Sequence, residues 1–280
     1  MSYGKLSHYG FRIVRRMTSE EIAAAQQEAE LEAQRIIEEL RKNPIINSIE
    51  LITINDMQIE MLKTEVTQAL YQTVMEENPS LFRGDDLPVE SVSWYDAIYF
   101  CNKLSEIKDL TPVYSVNGST STSDWNYTPH NWKTIDGAVE QDEVADGFRL
   151  PTSDEWEYAA NGGEGYKYAG SNDIDEVGWY KNNSETKTHP VAQKKPNGYG
   201  LCDMSGNVSE WCWDSASYKY SSYKYDSDQH VVRGGAIYDS SSKCEVGKTD
   251  DYMSYGKSSH YGFRIVRRMT SEKIAEEQSN

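Results

Sequence analysis

The chain has 280 residues and a formal net charge of -17 at pH 7, because 45 acidic side chains outnumber 28 basic ones. This excess of acid indicates solubility and disfavours nucleic-acid partners, which need clustered Lys and Arg. No apolar run is long enough for a membrane span, and residues 1–16 lack the apolar stretch of a signal peptide, so we expect no membrane span and no export signal.

The amino-terminal part predicts one long helix. Thr18 can cap its first turn while Glu21 reaches back, and apolar residues then recur at helical spacing through Arg41. We therefore predict a tail and helix over residues 1–44 and a globular domain over residues 45–280. The helix is interpreted either as an exposed appendage or as an element of self-association.

A near-exact duplication joins the two ends of the chain. Met1–Gln26 repeats Met253–Gln278 with four differences, which are Leu6/Ser258, Glu21/Lys273, Ala24/Glu276 and Ala25/Glu277. One interpretation is a gene-level accident that leaves a harmless tail. In the other, one copy mimics a strand of the other copy by pairing or swapping between chains, because both contain the alternating Tyr-Gly-Phe-Arg-Ile-Val pattern. Lys273 replaces the capping glutamate, so we expect the carboxyl-terminal helix to be weaker.

The globular part predicts short elements separated by long turns. Capping residues and apolar spacing indicate a strand over Ile46–Ile59 and helices over Gln68–Met75, Trp94–Glu106 and Ser153–Ala160. Pro112–Val144 is rich in turn-forming residues and predicts a long loop with a hairpin. Ser215–Asp226 has low complexity and is interpreted as a solvated loop. The predicted fold class is α+β.

Several glycine- and tryptophan-containing blocks follow one another in a recognisable order. They are Lys63–Tyr71, Leu87–Ala97, Arg149–Thr152, Asp154–Tyr158, Gly200–Leu201, Ser205–Asn207, Glu210–Trp211, Arg233–Gly235 and Gly262–Arg264. Together they resemble the formylglycine-generating enzyme family, or sulfatase-modifying factors, over about Met57 to Val266. The resemblance implies a C-type-lectin-like fold with much irregular structure, held by a few large anchors such as Trp156 and Trp211.

Catalysis is the first alternative that the resemblance raises. Family members that oxidise a substrate cysteine hold copper with two cysteines after the Arg-Gly-Gly block, and soft thiolates suit that metal. Cys244 falls at the first position, whereas Thr249 stands at the second. A copper-dependent formylglycine-generating oxidase is therefore disfavoured, and we expect a non-enzymatic member that requires no cofactor.

The segment Ala236–His260 carries the preferred interpretation. The chain resembles variable proteins of diversity-generating retroelements, in particular the spirochaetal (Treponema) group, in which adenine-directed mutagenesis rewrites positions between the Arg-Gly-Gly and Gly-Phe-Arg blocks. The segment is dominated by the residues that such mutagenesis permits, although any polar surface loop can have this composition. The predicted ligand-binding positions are Ile237, Tyr238, Asp239, Ser241, Ser242, Val246, Asp250, Asp251, Tyr252, Ser254, Tyr255 and Ser258.

This resemblance implies a receptor-like protein that displays a diversified surface on a rigid scaffold. Tyr, Ser, Asp and Gly suit adaptable recognition, and the expected ligand is a protein or another macromolecule. A variable receptor is expected on a cell surface. A structural protein built around the amino-terminal helix is the second alternative.

A structural calcium ion is a further implication of the resemblance. Asn207 and Glu210, with the carbonyl groups of Val208 and Ser209, would supply the oxygen ligands that calcium prefers. In the alternative interpretation, Asn207 caps a turn and Glu210 makes a local salt bridge.

Overall fold

A computed structural model describes residues 18–216 and 228–277. The helices are α1 (Ser19–Arg41), α2 (Pro44–Asn47), α3 (Gln68–Met75), α4 (Trp94–Ile107), α5 (Ser153–Asn161), α6 (Ile174–Val177) and α7 (Ser271–Glu277). The strands are β1 (Leu51–Ile54), β2 (Ile59–Leu62), β3 (Tyr114–Val116), β4 (Val139–Gln141), β5 (Phe148–Arg149), β6 (Ser209–Ser215), β7 (Gln229–Arg233), β8 (Thr249–Met253), β9 (Tyr261–Gly262) and β10 (Val266–Arg268). The chain divides into two compact units, Met1–Glu39 and Leu40–Asn280.

Helix α1 begins with the predicted capping box. The Glu21 amide donates to Thr18 Oγ1 at 3.2 Å, and the Thr18 amide donates to Glu21 Oε2 at 2.8 Å. Two amides that have no partner within the helix are thereby satisfied. No residue of α1 is buried, so capping and helix propensity, rather than packing, account for this helix within its unit.

The continuous strand predicted over Ile46–Ile59 is wrong. This stretch contains the end of α2, strand β1, a short 3-10 helix over Asn55–Met57 and the start of β2. Pro44 stands at the first position of α2, where its fixed φ favours a helix, and the Asn43 side chain accepts the Ile45 amide at 2.8 Å. Asn43 and Pro44 therefore start a new turn of helix after α1.

The other predicted helices are confirmed to within one residue. Ser93 and Thr152 each form a capping box with an acidic side chain three residues on, and Thr67 caps α3. The predicted hairpin is also confirmed, because β3 and β4 pair antiparallel inside the long loop. The predicted solvated loop falls largely on residues 217–227, outside the described residues. Helix α7 retains only one side of its cap, the Lys273 amide donating to Thr270 Oγ1 at 3.3 Å.

Two four-stranded sheets support the globular unit. The first has the order β1-β2-β10-β5, so the last strand of the chain lies in its interior. The second has the order β8-β7-β6-β9, which leaves β8 at an outer edge. Trp156 and Trp211 are fully buried, as expected of large anchors in a fold with little regular sheet.

A buried ion pair ties these two sheets together. Arg264, just before β10, donates from Nε to Glu210 Oε2 and from Nη2 to Glu210 Oε1, both at 2.6 Å. Trp156 Nε1 donates to the same carboxylate at 2.6 Å. Burial opposes a charge on Arg264, but Glu210 favours it, and the net result is a raised pKa. Such a bidentate pair fixes the strands geometrically as well as electrostatically.

Candidate ligand-binding face

The segment 236–260 starts at a turn that only glycine fits comfortably. Gly234 and Gly235 follow β7 with φ values of 89° and 67°, in the left-handed region. A Cβ on Gly235 would lie 2.8 Å from Cys244 Sγ. The segment therefore leaves the end of β7 through a tight glycine turn, and Cys244 packs against that turn.

Strand β8 brings the segment back along β7. The two strands pair antiparallel over their whole length, from Arg233 opposite Thr249 to Gln229 opposite Met253. Because β8 is the outer strand of its sheet, its other edge pairs with no strand in the described chain. Thr249 and Asp250 are exposed, and the rest of β8 is half-buried. The predicted variable residues are therefore carried partly on regular structure.

Aromatic rings form a continuous row beneath this strand. The Tyr238 ring lies 5.6 Å from that of His260, which lies 4.7 Å from Tyr261, and Tyr261 lies 4.5 Å from Tyr252. Tyr252 and Tyr261 both approach the buried Trp211 ring, at 6.3 and 5.6 Å. The row leads from the core to Tyr238, which is 42% exposed and provides amphipathic contact area.

Carboxylates surround the aromatic row. Asp250 pairs with Lys243 Nζ at 2.7 Å, and the Asp239 carboxylate accepts the Ala236 amide at 2.9 Å. Partial burial, and then the nearby Asp250, raise the pKa of Asp251. The face therefore combines hydrogen-bond acceptors with flat aromatic area, a combination that suits recognition of a polar surface.

Nine of the twelve predicted binding positions are exposed or half-buried. These are Tyr238, Asp239, Ser241, Ser242, Asp250, Asp251, Tyr252, Tyr255 and Ser258. Some already have contacts within the chain, such as Tyr238, whose hydroxyl donates to the Thr186 carbonyl at 3.2 Å. Their role in binding stays a prediction.

The other three predicted positions are buried and cannot be displayed as expected. Ile237 is fully buried between hydrogen bonds to Asn207 and Ser184, and Val246 packs in the hydrophobic core. The Ser254 hydroxyl donates to the Asp228 carbonyl at 2.9 Å, and its oxygen accepts from His230 Nδ1 at 2.7 Å. These three residues were predicted as binding positions from composition, which does not distinguish them from their exposed neighbours. Their burial does.

Sequence reasoning missed two members of the face. His260 and Tyr261 lie in the aromatic row, yet neither is among the predicted ligand-binding positions. Burial lowers the pKa of His260, which favours the neutral ring at pH 7. The available signal was their position, because they directly follow the last predicted variable residues.

The side chains of Asn207 and Glu210, the predicted calcium ligands, have hydrogen-bond partners within the chain. Both Glu210 oxygens accept from Arg264, and a guanidinium so close would repel a cation. Asn207 adopts a φ of 61°, accepts the His189 amide at 3.0 Å and donates to Glu65 at 3.1 Å. In residues 18–216 and 228–277, no group of three or more His, Cys, Asp or Glu side chains is placed to hold a metal ion. Glu210 therefore serves as a buried counter-ion.

Cys244, at the position that corresponds to a copper-binding cysteine, lies in the interior of the globular unit. Cys244 is fully buried, its thiol donates weakly to the Ser240 carbonyl at 3.7 Å, and burial raises its pKa to about 12. The thiolate that binds soft metals is thus disfavoured. Thr249 is exposed on β8.

The fold defines a C-type-lectin-like protein of the formylglycine-generating type. The model of the sulfatase-modifying factor enzyme 1-like domain matches residues 49–269, and the chain belongs to this family. The structure of Treponema denticola variable protein 1 is similar, with 35% identity, a TM-score of 0.68, and coverage of 79% of this chain and 92% of that one.

Two relatives show the range of functions assigned to such chains. Chaperone protein LppX of Paenibacillus barcinonensis is 37% identical over 236 residues, which cover 77% of this chain and 81% of that protein. The formylglycine-generating enzyme of Streptomyces coelicolor is 33% identical over 158 residues, 46% of this chain and 50% of the enzyme. The scaffold is thus similar both to an enzyme and to a variable protein.

Among the residues that the structure describes, none of the helices has the length and apolar character needed to cross a bilayer.

Proposed function

We propose that this chain is a non-enzymatic, receptor-like protein whose segment 236–260 binds a macromolecular ligand. The observation that carries the proposal is the division within this one segment: nine predicted positions reach the surface around an aromatic row, while Ile237, Val246 and Ser254 hold the segment to the core. Similarity to Treponema denticola variable protein 1 supports a diversified surface on this scaffold.

The shape of the face favours a large ligand. The depression between Gly235 and β8 has a volume of about 10 Å³, roughly the space of one water molecule. Pockets for small molecules commonly enclose several hundred Å³. Tyr238, Asp250 and their exposed neighbours therefore suit contact with another surface, in which rigid tyrosine rings supply area and small polar residues supply hydrogen bonds.

Two matched libraries of the full-length chain, displayed on yeast, would test this function. One randomises the nine exposed or half-buried positions with adenine-mutated asparagine codons, and the other randomises Ile237, Val246 and Ser254 in the same way. We expect the first library to retain folded display and to give clones that bind a purified probe protein, such as lysozyme. The second should lose folded display in most clones.

Either of two results would contradict the proposal. If both libraries lose folded display equally, the exposed positions are structural. If the first library folds but gives no binder to any of several purified proteins, the face does not support recognition.

Copper oxidase activity is the competing function. Cu(I) titration of the intact chain and of Cys244→Ala should show the same weak binding, because Cys244 is buried and Thr249 supplies no second thiolate. Tight copper binding that is lost in Cys244→Ala would revive the oxidase.

Self-association and location complete the proposal. Ile22, Leu31 and Ile36 of α1 are each about half exposed, which supports self-association through this helix. Molar mass in solution with and without residues 1–42 would test it. A cell-surface location fits a receptor for macromolecules, and protease treatment of intact cells would test that location.

A further inference from the structure

The carboxyl-terminal copy of the duplicated sequence is part of the core. Strand β10 lies between β2 and β5, with Val266 opposite both Met61 and Arg149. Four residues that precede or begin this strand are fully buried: Phe263, Arg264, Ile265 and Val266. Residues 253–269 therefore supply an interior strand and buried side chains that the fold requires.

The amino-terminal copy contains the same residue at every buried position of residues 253–269. The buried residues are Ser254, Gly256, Lys257, Gly262, Phe263, Arg264, Ile265, Val266 and Met269. Their counterparts are Ser2, Gly4, Lys5, Gly10, Phe11, Arg12, Ile13, Val14 and Met17. By composition, residues 1–17 can make the same core contacts and the same ion pair with Glu210.

The single difference in this span falls where the structure tolerates it. Ser258, which corresponds to Leu6, is half-buried, and its carbonyl accepts the amides of Ser91 and Tyr261. These backbone bonds are available to either side chain. The next difference favours the carboxyl-terminal copy, because Lys273 pairs with Glu60 whereas Glu21 would repel it.

We propose that residues 1–17 of one chain can replace residues 253–269 of a second copy of this chain. Exchange of an identical element between protomers creates few new contacts and is a low-cost route to assembly. In the intact protein the carboxyl-terminal copy has the advantage, since it continues directly from β8 and β9 and carries Lys273. Exchange occurs when that copy fits less well.

Helix α1 separates residues 1–17 from Leu40 along the chain, and its 23 residues extend about 35 Å, at 1.5 Å for each residue.

A double-mutant cycle in the full-length chain tests the exchange. Arg264→Met weakens the carboxyl-terminal copy, Arg12→Met weakens the amino-terminal copy, and the third variant combines them. Alone, Arg12→Met should leave the thermal midpoint unchanged. Arg264→Met should still unfold cooperatively, at a lower midpoint and with a doubled molar mass, because Arg12 of a second chain pairs with Glu210. The double variant should lose the cooperative transition and the doubled mass.

Additive midpoints in this cycle would overturn the proposal, as would an Arg264→Met chain that fails to fold although Arg12 is present. A rescued monomer would overturn the assignment to a second copy. Glu21→Lys in the Arg264→Met background gives a graded check, since it restores the partner of Glu60 and should raise the dimer fraction. Deleting residues 1–17 from Arg264→Met, with α1 retained, separates exchange from any contribution of α1, and should abolish both folding and dimer.

Discussion

Two adjoining stretches near the end of the chain differ in how their side chains are buried, and they should respond differently to substitution. In residues 236–260, exposed side chains alternate irregularly with buried ones, whereas residues 262–266 are buried without interruption. The first stretch is held by backbone hydrogen bonds and a few inward side chains. The second depends on the identity of nearly every side chain. Whether a residue tolerates substitution should therefore depend on the groups that its side chain contacts. Its distance in sequence from a predicted variable position says little.

The largest expected effect is at Glu210, the buried partner of Arg264 in residues 262–266. Glu210→Gln should lower the free energy of unfolding by about 3–5 kcal/mol, because it leaves Arg264 charged and buried without its counter-ion. Neither copy of the duplicated sequence can compensate, since both bring the same arginine. Glu185→Gln, which removes an exposed pair with Lys187, is the control and should leave the urea midpoint nearly unchanged. Urea unfolding would measure both, and similar small losses would contradict the comparison.

Two neighbouring residues, Ile237 and Tyr238, allow the same comparison within residues 236–260. Ile237→Ser should cost about 2–5 kcal/mol, because it leaves a cavity and places a hydroxyl in the core. Tyr238→Ser should cost about 1 kcal/mol or less, since that ring is 42% exposed. Thermal unfolding of both variants would show the difference, and equal losses would mean that exposure does not mark tolerance.

Acid provides a third way to separate the regions. His230 stacks on Trp94 with ring centres 3.8 Å apart, and burial lowers its pKa from 6.5 to about 4. The unfolded state therefore takes up a proton first, and stability should fall as the pH drops from about 6.5 to about 4. The contribution is about 3 kcal/mol at full protonation. His230→Gln should remove that part of the decline in urea unfolding at several pH values, and an unchanged slope would contradict it.

The smallest expected effect is on the candidate ligand-binding face, at the pair of Lys243 with Asp250. Lys243→Ala removes the pair with Asp250, in which both side chains are at least half exposed, so the loss should be below about 1 kcal/mol. High salt should weaken the pair in the parent chain, but it should change the variant less. A loss of several kcal/mol would place the pair in the constant framework instead.

Local signals predicted much of the framework but little of its interior pairing. Capping boxes at Ser93 and Thr152 marked helices because their partners lie three residues away in sequence. The pairing of Arg264 with Glu210 joins positions 54 residues apart, and no local pattern indicates it. The burial of Ile237 could not be separated from the exposure of Tyr238 either, since both residues fit the same mutable composition. Only tertiary packing distinguishes them.

The outer position of β8 has a consequence for any population of variants. An unpaired strand edge invites contact with other strands, and charged side chains reduce that tendency. Asp250 and Asp251 provide such charges here. Mutagenesis that wrote Ile or Val at both places would give a sticky, aggregation-prone edge before any ligand was met. Variants of residues 236–260 that aggregate would then be lost before any selection for binding. The remaining variants would be the soluble part of those that the genetic code permits.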